Sequence, residues 1–138
     1  MTVQTDQTLE RQTPSQQAGS PQSERLPEAL KDAREVDVKV AMHLIESIPC
    51  LVVLDVRMPV EFSEGRIRQS LNLDFYADDF EHALAGLDRQ ASYLVYCRSG
   101  GRSAYTLEMM EALGFASAIH MPAGIEGWRA AGLPVFTG

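Results

Sequence analysis

Short unbroken apolar runs alternate along this chain with longer stretches in which apolar residues return every three or four positions. Residues 51–56 and 93–96 are runs of the first kind, and their lack of alternation predicts strands buried on both faces of a parallel sheet. Briefer runs at 71–73 and 117–121 predict two more strands, and Glu35-Val36 a short first one. Val40, Ala41, Leu44, Ile45 and Ile48 form one face of a helix that Asp37 can cap and Pro49 ends. Pro59 opens a helix carrying Val60, Glu61 and Phe62. Asp78 or Asp79 caps another, with Phe80, Ala83, Leu84 and Leu87 on one side. Ser103 is the expected N-cap of a helix over 103–113 that carries Leu107 and Met110 and stops at Gly114. A last short helix surrounds Trp128, which is expected in the core or at its rim. Strands alternating with helices, and no internal repeat, predict a single α/β domain over 35–138. Its central sheet is mostly parallel, with helices on both faces.

Residues 1–34 are a different material. Gln, Thr, Ser and Pro dominate and large apolar side chains are few, which predicts a disordered polar tail. One short helix near 27–33, begun by Pro27, is its only expected element. At 138 residues the chain has the length of one domain, and 45% apolar residues suffice for a core without staples. The formal charge of −7 argues against a nucleic-acid backbone or an anionic membrane as partner. No stretch approaches a membrane span and no signal peptide is visible. Two cysteines, one in a reactive loop, do not read as a disulfide framework, so the expected location is the reducing cytoplasm.

The chemistry concentrates in Cys97-Arg98-Ser99-Gly100-Gly101-Arg102-Ser103, which joins the central apolar run to the following helix. Gly100 and Gly101 allow a tight turn whose N–H groups converge on one point. A cysteine facing those amides, a helix N-terminus and two arginines should have a depressed pKa and act as a nucleophile. A phosphatase loop would need an arginine where Ser103 stands, and Arg102 comes one residue too early. A zinc site lacks its ligand spacing, because Cys50 is the only other cysteine. Cys50 precedes its strand, at the edge opposite Cys97, and reads as a small buried apolar residue. His43 reads as a surface residue, and no metal or cofactor is expected.

This loop resembles the active-site loop of rhodanese-type sulfurtransferases. Upstream, Asp55-Val56-Arg57 with Glu61-Phe62 and Gly65-Arg66-Ile67 resembles the family's strand-to-helix signature. Downstream, Gly124-Ile125-Glu126-Gly127-Trp128 with Gly132-Leu133-Pro134-Val135 resembles its C-terminal signature. The resemblance covers about 35–136 and implies a rhodanese-like fold. It implies that Cys97 takes sulfane sulfur from thiosulfate or a persulfide donor as a persulfide and passes it to a thiol acceptor, in ping-pong fashion. With the thiolate already formed, no general base is called for. Ser99, Gly100, Gly101 and Ser103 would line the donor site with their amides. Arg98 and Arg102 would hold the donor's anionic end, the alternative being that Arg102 pairs with a surface acid. Asp55 and Arg57 are expected near the site in a structural role, Arg57 paired with Glu61 or Asp55. Where relatives carry Gly-His-Ile-Pro-Gly-Ala, this chain has Gly65-Arg66-Ile67-Arg68-Gln69-Ser70, with two added cations that read as solubilising a turn. A non-enzymatic binding or sulfur-relay module is the alternative function.

Overall fold

In the computed structural model, which describes residues 26–30 and 32–138, four parallel strands form one sheet in the order β2-β1-β3-β4. They are β1 (Val52–Asp55), β2 (Ser70–Asn72), β3 (Ser92–Tyr96) and β4 (Ser117–His120). The helices are α1 (Val38–Ser47), α2 (Pro59–Glu64), α3 (Phe80–Ala85), α4 (Gly101–Ala112) and α5 (Gly124–Ala130). Glu35-Val36 makes only a single parallel bridge, from Glu35 to His120, because one residue of pairing at the edge does not sustain a ladder. Of the polar tail, 1–25 and Lys31 lie outside the described residues. The helix expected near 27–33 appears as one 3₁₀ turn, Glu28–Leu30, whose Leu26 and Leu30 pack on the core. Among the described residues, no helix is long and apolar enough to cross a membrane.

The two central strands explain their own unbroken apolar pattern. Successive side chains of a strand point to opposite faces, and here both faces are covered. Val53, Leu94, Tyr96 and Ile119 pack with Ala41, Leu44, Ile125 and Trp128 on the side of α1 and α5. Leu54, Tyr93, Val95 and Cys97 pack with Phe80, Leu84 and Met110 on the side of α3 and α4. Asp37 caps α1, its carboxylate accepting from the Val40 amide at 2.8 Å, and Pro59 occupies the first position of α2. Trp128 is buried and donates its indole N–H to the Pro134 carbonyl at 2.8 Å.

Two expectations fail here. Cys50 is exposed, since it sits in the turn between α1 and β1 before the buried strand begins. Arg66 does more than solubilise its turn. Its backbone pairs with Phe136, its guanidinium donates to the Phe62 and Gly138 carbonyls, and it lies 4.4 Å over the Phe62 ring. Arg68 and Gln69 are exposed, as a solvated turn requires. Gln69 has φ of 65° and is the one described non-glycine residue in the left-handed region. An L side chain there costs about 1–2 kcal/mol, against about 0.5–1 kcal/mol of extra chain entropy lost by glycine. Gln69→Gly is therefore expected to stabilise the fold by roughly 0.5–1 kcal/mol, read as a rise of a few degrees in thermal midpoint.

Candidate active site

β3 delivers Cys97 to the carboxyl edge of the sheet, where the chain turns and enters α4. In a parallel sheet this edge is where helix N-termini and loops gather. Cys97 is only 1% exposed. Its sulfur accepts the Gly100 amide at 3.1 Å and the Ser103 amide at 3.4 Å. The Ser103 N–H is one of the donors that the first turn of a helix leaves without an internal partner, so the cysteine sulfur completes the helix end. Burial alone would raise the thiol pKa. The hydrogen bonds from Ser103, Gly100 and Ser99 oppose it, and together they hold the thiol below its ordinary value.

The helix begins two residues before the expected start. Gly100, with φ of 106°, is the N-cap, and the Ala104 amide closes the first turn on its carbonyl. A Cβ at Gly100 would lie 2.6 Å from the Pro122 carbonyl oxygen, so both conformation and space require glycine. Ser103 instead sits inside the first turn. Its buried hydroxyl lies 3.6 Å from the Cys97 sulfur, 3.2 Å from the Gly100 carbonyl and 3.0 Å from Nδ1 of His120.

The amides point inward because the carbonyls are held outward. The Ile125 N–H donates to the Cys97 carbonyl at 2.9 Å and the Glu126 N–H to the Arg98 carbonyl at 3.2 Å. This approach depends on Gly124, whose φ is 66° and whose Cβ would fall 2.1 Å from the Arg98 oxygen. Gly124→Ala is expected to destabilise the fold by about 1–3 kcal/mol in urea unfolding. It should also raise the Cys97 pKa in a thiolate absorbance titration, because displacing the Arg98 carbonyl turns the amide that follows it.

Each loop arginine is paired with an acid, which for Arg102 is the alternative the sequence left open. Arg98 pairs with Glu126 at 2.8 Å, both side chains more than half exposed. Arg102 does reach the cleft, but its guanidinium bridges both carboxylate oxygens of Glu61, at 2.8 and 3.2 Å. That pair holds the Glu61 carboxyl below its usual range, the Arg102 hydrogen bond first among the causes. The hydrogen bonds of the loop amides and of the Ser103 hydroxyl lead in lowering the thiol pKa, and Arg102 adds a coulombic attraction to Cys97. Each guanidinium is engaged by an acid that loop folding brings alongside it. Arg57 pairs with Asp55 rather than Glu61, in a fully buried knot one strand away.

Cys97, Ser99, Gly101 and Arg102 share an open cleft of about 390 Å³ with Phe75, Tyr76 and Tyr105. Tyr76 and Tyr105 are 64% and 59% exposed, and Phe75 meets both edge to face at 5.4 and 5.8 Å. Sequence reasoning passed over these aromatics and His120, and named Glu61 only as a signature residue and an alternative partner of Arg57. A usable signal existed for Phe75 and Tyr76, which follow β2 closely at the same carboxyl edge.

The comparisons with known proteins agree with this architecture. The Rhodanese-like domain family matches residues 37–131. A protein of Allochromatium vinosum named "Sulfurtransferase" is 26% identical over 101 residues, covering 73% of this chain and 92% of that one. The crystal structure of a rhodanese-related protein from Thermoplasma volcanium superposes with a TM-score of 0.66 at 31% identity, over 76% of this chain and 99% of that one. A rhodanese-like domain protein from Staphylococcus aureus gives 0.60 at 26% identity, over 69% and 90%. With the loop, the parallel sheet and both flanking signatures in place, this chain belongs to the rhodanese-like domain family.

Proposed function

We propose that this chain is a sulfurtransferase in which Cys97 carries sulfane sulfur as a persulfide. The observation that supports it most is the convergence of loop amides on one buried sulfur whose pKa they lower. In the first half-reaction the Cys97 thiolate attacks the outer sulfur of thiosulfate. A sulfur–sulfur bond to Cys97 forms, the bond to the sulfonate sulfur breaks, and sulfite leaves with that electron pair. In the second, an acceptor thiolate takes the outer sulfur and Cys97 regains its negative charge. The amides of Ser99, Gly100 and Ser103 are already aimed at that charge, so neither step must reorganise them.

A persulfide donor, small or protein-borne, is the second reading, and the cleft favours it over thiosulfate. Both loop arginines are occupied by glutamates, while exposed aromatic rings line the same cleft, the Arg102 guanidinium 5.7 Å over that of Tyr76. Such a lining suits an organic chain better than a small dianion. Both described cysteines are free thiols, which fits work in a reducing compartment such as the cytoplasm. The test is intact mass after incubation with thiosulfate or with a low-molecular-weight persulfide, followed by a thiol. Gain of one sulfur atom, removed by the thiol, is the expected result. Loading by the persulfide alone selects the second reading, and loading by neither overturns both.

A further inference from the structure

His120 is the last residue of β4 and is 4% exposed, yet nothing in the reaction above uses it. Its ring joins two groups that the chain places far apart. On one side Nδ1 lies 3.0 Å from the Ser103 hydroxyl, itself 3.6 Å from the Cys97 sulfur. On the other side Nε2 lies 3.6 Å from the Glu35 carboxylate, whose side chain is 66% exposed. A continuous line of exchangeable groups thus runs from a thiol sealed inside the domain to solvent on the far side of β4.

We propose that Ser103 and His120 form a proton path between the Cys97 thiol and solvent at Glu35, with His120 as the base that accepts the thiol proton. This rests on the reading of Cys97 as the reacting thiol. The S–H bond breaks and leaves its electron pair on sulfur. Its proton passes to the Ser103 oxygen while the proton of Ser103 passes to Nδ1 of His120. Thiol plus imidazole becomes thiolate plus imidazolium, and no other reactant is needed. The Nε2–H tautomer, directed at Glu35, leaves Nδ1 free to accept, and the same carboxylate then faces the imidazolium. Once His120 carries both protons it donates to Ser103. Before the transfer the serine hydroxyl turns from the Gly100 carbonyl to Nδ1; after it, the proton received from Cys97 lies toward the thiolate.

The charges facing His120 fit a base at rest. Burial lowers its pKa first and foremost, Glu35 opposes this, and Arg34 lowers it further. Arg34 is itself paired with Glu111 on α4. Among the described residues of α4 and β3, Ser103 and, beyond it, Cys97 approach the ring through hydrogen bonds. The imidazole is therefore mostly neutral near pH 7 and ready to take a proton, while Cys97 is the group disposed to lose one. The two sites share a proton, and their titrations are coupled.

The test reads thiol chemistry, so it does not depend on sulfur transfer. The rate of Cys97 alkylation by iodoacetamide is followed against pH in the full chain, by the mass of its peptide so that exposed Cys50 does not contribute. In the wild type two steps are expected. In His120→Asn a single step should remain, its midpoint higher by about one pH unit and the neutral-pH rate about tenfold lower. Imidazole nitrogen NMR supplies a second arm should His120→Asn fold poorly: His120 should titrate lower in Cys97→Ser than in the wild type. An unchanged alkylation midpoint in His120→Asn overturns the proposal, and so does a His120 titration indifferent to Cys97→Ser.

Discussion

Cys97→Ser is expected to abolish sulfur uptake, by at least about a thousandfold in rate and with no sulfur adduct in the intact mass. Only sulfur can hold the transferred atom as a persulfide, and a serine oxygen at the same place has no equivalent chemistry. The substitution should nevertheless leave the fold intact. A hydroxyl can accept the Gly100 and Ser103 amides that the sulfur now accepts, so the unfolding midpoint should shift by less than about 1 kcal/mol equivalent. Cys50→Ser is the control, because Cys50 is exposed and at the other end of its strand. It should retain full uptake. The wild-type rate should also follow the thiolate. Since the folded-state pKa of Cys97 is depressed, uptake is at its plateau above that pKa and falls as pH drops through it. The same linkage makes a small share of the stability present at high pH and lost toward acid. A wild-type adduct that survives in Cys97→Ser would move the chemistry to Cys50 and sink the proposal.

What could be read in advance follows from how locally each feature is encoded. β1 and β3 were legible because burial on two faces leaves an unbroken apolar run, as Leu94, Val95 and Tyr96 do. The glycine loop and its two flanking signatures were legible because each is a contiguous stretch. The arginines were not, because their partners come from distant parts of the chain: Glu61 for Arg102, 41 positions away, and Glu126 for Arg98, 28 away. The helix start was misplaced for a similar reason. Ser103 is a favoured N-cap type, but its hydroxyl is drawn inward by His120 across 17 positions, and Gly100 takes the cap. Cys50 misled because a small apolar residue beside a buried strand reads as buried, whereas the chain has not yet entered the sheet there. His120 read as one more residue of the last strand. Its meaning came only from the parallel pairing that sets β4 beside β3.

The Asp55–Arg57 knot carries the largest expected loss of stability. Asp55 is fully buried and Arg57 is 3% exposed. The carboxylate accepts from the Arg57 side chain at 2.7, 3.0 and 3.1 Å and from the Arg57 backbone N–H at 2.9 Å. Arg57 also donates to the Gly65 carbonyl at 2.6 Å, and Asn72 ties the backbone carbonyls of both residues at 3.0 Å. Burial disfavours the guanidinium's charge, but the hydrogen bonds and charge of Asp55 outweigh it and keep Arg57 ionised. Asp55→Ala would leave that charge buried without its counter-ion, which costs about 3–5 kcal/mol. Urea unfolding should show a midpoint lower by roughly 1–3 M. Asp55→Ala combined with Arg57→Leu should recover most of the loss, because the deficit lies in the orphaned charge and not in the missing attraction. If the double variant is as weak as the single one, the knot acts through the backbone it orders. The segment from β1 to α2, which sets Glu61 against Arg102, would then be what Asp55 holds.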